Sequence, residues 1–432
     1  MRPLLLLASA GVALSGCGIF SGEEPPLPGE RIPVRPAAVE ETVRGAPQPV
    51  ALGAPQVNTR WTHEGGTPSH TIAHPALGAE LARAFSSDVG AGSSGEVRLT
   101  SGPVVSADAI YTLDATAGVV ATAPDGSRLW SRSLVPDGQP REDGFGGGVT
   151  LGQGVLFVTT GFGDIYALEA STGAIVWQQN VGAPFRAASV VSGRRVIAVS
   201  RNDVATAFDV ETGAIAWRVS GARGTAGVLG GAQPTAFDGL AVLPFSSGEV
   251  LAVFDRNGRR AWANALGSGR RGLARASIAD VTGDPVFSGT DVIAGNQSGS
   301  LVSIDARTGI RNWTQSEGAQ DAVLAVGGAL WFVSDRAELI RLDAESGGVV
   351  WRVQLPERNP RDRDLAARYT GPVLAGGRLF IANGHDGVLI FDPASGDELG
   401  RLDVSGGAAA APAVANETLY VLSNDARLIA FR

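Results

Sequence analysis

The chain has 432 residues, 44% of them apolar, which is ample for a large buried core. A net charge of -8 excludes the strongly basic face that nucleic-acid binding needs. The single Cys excludes a disulfide framework and a Cys-based metal site, while 59 Gly imply many tight turns.

Residues 1–16 read as a signal peptide. Met1-Arg2 gives a positive start, Leu4 to Leu14 an apolar run too short to span a bilayer, and small residues end it. The ending Leu14-Ser15-Gly16-Cys17 resembles a bacterial lipobox, whose cleavage leaves the Cys17 thiol carrying diacylglycerol. Buried acyl chain contributes about 0.8 kcal/mol per CH₂, so the expectation is a body anchored by lipid. Gly18, where an Asp would resemble an inner-membrane retention signal, favours the outer membrane. Residues 17–57, with runs such as Glu23-Glu24-Pro25-Pro26 and Pro33-Val34-Arg35-Pro36, read as an extended tether.

Next come His63, His70 and His74, close together in a Gly- and Pro-containing stretch. Three neutral imidazoles can ligate zinc, but this spacing matches no strong motif. A surface loop without metal is the expectation.

From residue 58 onward the sequence is periodic. Glu169-Ala-Ser-Thr-Gly-Ala-Ile-Val-Trp177 returns as Asp209 to Trp217, Asp305 to Trp313 and Asp343 to Trp351. Eight short runs of small or β-branched residues open the units, beginning at Gly102, Gly147, Ala187, Gln233, Asp284, Asp321, Gly371 and Ala411. A Gly-containing turn, two alternating apolar strands and a Trp-led fourth strand follow in most units. This pattern predicts an all-β chain, an eight-bladed β-propeller of four-stranded antiparallel blades over 58–432. Gly in the turn supplies positive φ, Asp caps the turn N–H groups, and Trp packs between blades. Trp61, Trp130, Trp177, Trp217, Trp262, Trp313 and Trp351 are assigned this docking role; Trp331 lies inside a strand and reads as core. The unit at Asp392 has Gly400 where Trp is expected, so its seam reads as the weakest. The N-terminal strand around Trp61 is expected to complete the last blade and so remove an open edge.

Gly144 to Gly148 and Gly161 to Gly163 precede no predicted helix, which argues against phosphate cradling. Arg358 to Arg368 reads as an exposed loop between blades. No Ser/His/Asp or paired-carboxylate arrangement is specific enough to assign a catalytic residue, and no cofactor is expected.

The Trp-bearing phrase resembles that of the eight-bladed PQQ-type propellers. With the lipobox, the chain is similar to the BamB-like lipoproteins of the outer-membrane β-barrel assembly machinery. The resemblance implies a non-enzymatic scaffold that binds the periplasmic POTRA domains of the barrel-inserting subunit and helps nascent outer-membrane proteins reach it. Family contact segments read Leu-Arg-Gly-Glu-Ser-Ala-Pro and Asp-Val-Asp-x-x-Pro. Residues 228–234 and 280–285 stand in their place, so the resemblance puts partner contacts on Val228, Leu229, Gly230 and Asp280. Leu229 replaces the family Arg and Thr282 the second Asp; Arg271, with Arg270 and Arg275, is the nearby substitute for the lost charge. Two alternatives remain: a lipid-anchored ligand-binding or sensor propeller, and a PQQ-dependent dehydrogenase. The latter enzymes hold PQQ with Ca²⁺ and commonly beside adjacent cysteines, and this chain has one Cys.

Overall fold

The computed structural model describes residues 48–224, 227, 230–267, 278–359 and 362–432. Eight four-stranded antiparallel sheets follow one another. Blades 1 to 7 occupy 104–133, 147–180, 190–220, 235–265, 281–315, 324–354 and 369–403; blade 8 combines 413–431 with 83–88. Every one of the eight runs read as an innermost strand overlaps the first strand of a blade. A two-stranded hairpin, Arg358–Asn359 with Asp362–Ala366, stands between blades 6 and 7, where the sequence suggested only a loop.

Blade 2 shows why the pattern folds this way. Its strands Gly147–Gly152, Val155–Thr160 and Asp164–Glu169 are buried nearly throughout, because neighbouring blades cover both faces. The outer strand Ile175–Asn180 lies at the rim, and only Trp177 in it is fully buried. Gly173, Gly213, Gly258, Gly309, Gly347 and Gly396 turn the chain between third and fourth strands with φ between +69° and +76°. The Asp305 carboxylate accepts the Thr308 N–H at 2.7 Å and hydroxyl at 2.6 Å, and these bonds lower its pKa. Asp343 does the same with Ser346.

Five successive seams, from blade 1 to blade 6, repeat one clasp. The indole N–H of Trp130, Trp177, Trp217, Trp262 and Trp313 donates to Ala170, Val210, Asp255, Ala306 and Ala344 carbonyls, at 2.7–3.0 Å. Each accepting carbonyl belongs to the turn of the next blade. The ring lies against that turn's glycine so closely that a Cβ on Gly173 or Gly213 would sit 2.6 Å from indole carbon. Trp351 lies against Gly396 in the same way, but there Trp331 donates the hydrogen bond, to Pro393 O at 3.1 Å. Trp331 is therefore more than filler.

An N-terminal strand does close the ring, but it is Arg83–Asp88, paired antiparallel with Arg427–Phe431. Phe85 takes the docking position, its ring against Gly126 of blade 1. Trp61 does not dock between blades. It exchanges both backbone hydrogen bonds with Val105 of the blade 1 inner strand and is buried near the axis.

Residues 48–82 form an axial plug, so the fold already includes 48–57, assigned above to the tether. The N–H groups of Asn416, Val105, Leu151, Val191, Ala236, Phe287 and Gly376 bond in turn to Asn58 O, Trp61 O, Thr62 O, His63 Nε2, Pro68 O, Ser69 O and Pro75 O. Those groups belong to blades 8, 1, 2, 3, 4, 5 and 7. Blade 6 is reached by Arg341, which donates to Gln48 O at 2.6 Å. One short segment thus satisfies inner-strand or turn N–H groups around the ring.

Candidate partner-binding face and axial cavity

The plug covers the end of the ring where inner strands run into their first turns. At the other end, the loops entering the inner strands surround a cavity of about 420 Å³. Its lining is polar: Glu64 from the plug, Asp284 from blade 5, Asp321 before blade 6, and the exposed Arg98 and Arg368. Gln233 N–H donates to Asp284 Oδ1 at 2.6 Å, and Gly371 N–H to Asp321 Oδ2 at 2.8 Å. Burial, then the negative charges of Asp284 and Asp321, push the Glu64 carboxyl well above the usual carboxylate range. Asp284 is raised by burial and by Asp321. No motif announces this convergence, since the three carboxylates are isolated residues in three distant segments.

The three histidines are plug staples, not a surface loop. His63, His70 and His74 are 1%, 3% and 5% exposed. His63 Nε2 accepts the Val191 N–H at 3.1 Å, and His74 Nε2 accepts the Gly377 N–H at 2.7 Å. His70 Nδ1–H donates to Pro285 O at 3.0 Å. These bonds occupy the lone pairs that a metal would use at His63 and His74. Burial pushes the His70 pKa down to about 4 and holds His63 well below its ordinary value.

Of the residues assigned to partner contact, Val228, Leu229 and Arg271 lie outside the described residues, as does Cys17. Gly230 lines the mouth of the axial cavity and also an adjoining cleft of about 80 Å³ that Arg186 shares. Asp280 is wholly buried and forms an ion pair with Arg186, which precedes blade 3. The pair lies under the loop before blade 4: a Cβ on Gly231 would meet Arg186 Nε at 2.6 Å, and one on Gly227 would lie 3.5 Å from Asp280 Oδ2. Breaking such a pair by removing one partner costs about 3–5 kcal/mol, because the other charge is left buried alone. Asp280 therefore fixes the backbone that presents Gly230 rather than offering its own carboxylate to a partner. Arg186 carries this arrangement and was not singled out in the sequence, being 94 residues from its acid.

The cavity is a poor match for the quinone of the dehydrogenases that share this blade phrase. A tricarboxylate entering it meets four carboxyl groups, Glu64, Asp284, Asp321 and Asp335, against two guanidiniums, Arg98 and Arg368. Among the described residues, no group of three His, Cys, Asp or Glu is placed to hold a metal ion.

A family profile described as Outer membrane protein assembly factor BamB matches residues 115–353 and 337–432. The Salmonella typhimurium protein of that name is 26% identical over 443 residues, spanning 100% of this chain and 99% of its own. The structure of BamB from Moraxella catarrhalis is 21% identical with a TM-score of 0.69, over 82% of this chain and 100% of that one. Quinohemoprotein alcohol dehydrogenase from Comamonas testosteroni shares the fold, with a TM-score of 0.65 at 14% identity over 86% of this chain and 80% of that one. With the profile covering most of the sequence and the eight-bladed ring beneath it, the chain belongs to the BamB family of outer membrane protein assembly factors.

Proposed function

We propose that this chain is a non-enzymatic scaffold of outer-membrane protein assembly. It is held to the periplasmic face of the outer membrane by lipid on Cys17 and binds the POTRA domains of the barrel-inserting subunit. The family match is the observation that carries this reading. Further support comes from the face around the cavity mouth, where Gly230 stands on a loop held by the buried Arg186–Asp280 pair. Val228, Leu229 and Arg271 belong to the same contact surface in this proposal, which brings nascent outer-membrane proteins to the inserting subunit.

Isolation of the tagged chain from outer membranes tests the proposal. The barrel-inserting subunit should accompany it, and Arg271→Glu or Gly230→Trp should weaken the association by about tenfold or more. Recovery of the chain without that subunit overturns the reading. A soluble fraction and an unmodified Cys17 would remove the anchor.

A further inference from the structure

The geometry points to a second site on this chain: the axial cavity binds an organic cation, a primary ammonium or guanidinium group seated among Glu64, Asp284 and Asp321. The site does not depend on the assembly reading, and an empty cavity would leave that reading intact.

Three observations converge. The space is a closed-ended well of about 420 Å³, stopped at its base by the plug and open at the face carrying Gly230. That volume equals roughly fourteen waters at their liquid volume, enough for a small polyamine or an arginine-sized side chain. The charge balance also favours a cation: Glu64, Asp284, Asp321 and Asp335 line the cavity against two cations, Arg98 and Arg368, of which Arg368 already acts on Glu64 and Asp321. Finally, the carboxylates are incompletely partnered. Asp284 is 4% exposed, yet its hydrogen bond from Gln233 N–H reaches Oδ1 alone, leaving Oδ2 in a residue that lines the cavity. Glu64 lines the same cavity and accepts no hydrogen bond from the described residues.

Burial first, and then mutual repulsion, raises the Glu64 and Asp284 carboxyls, while burial alone raises Asp321 against the pull of Arg368. A bound cation removes the repulsion. It favours the ionised carboxylates, so any proton that the cluster holds is released to solvent as the cation binds. Arg98 and Arg368 line the same cavity and repel any cation, so the carboxylates must hold the seated group strongly enough to offset them. The same chemistry could arrive as a free small molecule or as a Lys or Arg side chain on a partner's loop.

Titration calorimetry on the purified full chain tests the site, using agmatine and, separately, the peptide Gly-Arg-Gly with blocked ends. Each titration is run in two buffers of different ionisation enthalpy, so that proton release is read directly. At least one probe should bind with proton release. Agmatine alone identifies a free small molecule as the source, and the peptide alone or more tightly identifies a partner's side chain. Glu64→Gln should weaken binding about tenfold, roughly 1.4 kcal/mol. This variant removes no hydrogen bond found among the described residues, so the fold should survive it. Glu64→Lys, which places a tethered ammonium in the cavity, should abolish binding while the melting temperature holds. Heat from neither probe overturns the site. So does binding that releases no proton and is unchanged by Glu64→Gln, because the probe is then on the outer surface.

Discussion

The seam between blades 2 and 3 and the seam between blades 7 and 8 solve the same problem in different ways. At the first, Trp177 donates to Val210 O, lies over Gly213, and packs between Phe157 and Phe208 with ring centroids 5.9 and 6.1 Å away. At the second there is neither indole nor turn glycine. Gly400 stands at the Trp position, and blade 8 passes from its third strand to its fourth through two backbone bonds between Arg432 and Ala82 instead of a covalent turn. Backbone and amide bonds bridge this seam: Ala408 N–H to Asn383 O at 2.9 Å and Asn424 Nδ2 to Gly384 O at 3.0 Å. A clasp written into the repeat needs only the next repeat. The closing seam needs residues hundreds of positions away, and the plug ties them together.

Removing residues 48–88 attacks the long-range solution at its root and should have the largest effect. Blade 8 loses its fourth strand, the plug goes, and cooperative thermal unfolding followed by circular dichroism should disappear. A sharp transition at the original midpoint would break the comparison. Trp177→Ala attacks the local clasp and should cost about 3–5 kcal/mol in urea denaturation. On the same clasp, Gly213→Ala should cost about 1–3 kcal/mol in urea denaturation, through its positive φ and its overlap with Trp177. Gly400→Trp should change stability by less than about 1 kcal/mol in either direction, since no turn glycine faces it; a gain comparable with the Trp177 loss would show that the seam lacks only an indole.

Acid tests the plug itself. The His70 pKa is about 4 in the folded chain against 6.5 as its ordinary value, so between these pH values the unfolded chain takes up a proton that the folded chain does not. Stability from this group is therefore lost as pH falls from about 6.5 to about 4, by on the order of 3 kcal/mol. Glu64 and Asp284 act with the opposite sign, because their raised pKa values favour the folded state as pH falls. The measurement is accordingly the difference between wild type and His70→Gln, which should narrow by that amount across the window; parallel curves would remove His70 as a staple.

Blade number, inner strands and the six later docking indoles were legible because each is a local pattern repeated along the chain. Closure was legible as a requirement, but its strand was not. Phe85 has no preceding Asp-x-x-Thr-Gly turn, since the chain ends take that turn's place, and so Trp61 drew the assignment. The plug was hidden for a related reason. Its hydrogen bonds join backbone groups and imidazoles to blades far along the sequence, and a buried imidazole accepting an N–H looks in sequence like any loop histidine. Of the two described residues proposed for partner contact, Gly230 lines the cavity, whereas Asp280 is buried against Arg186, a contact that no spacing announces.

The Arg83–Asp88 strand carries a consequence for synthesis. It leaves the ribosome more than three hundred residues before Arg427–Phe431, the strand it pairs with. Until then its backbone has no native mate, and the Trp61 to Pro75 stretch has only some of the rungs it will bridge. A chain interrupted before its last sheet would keep several sound seams and still lack a rim. Completion of the ring thus waits on the synthesis of Arg427–Phe431.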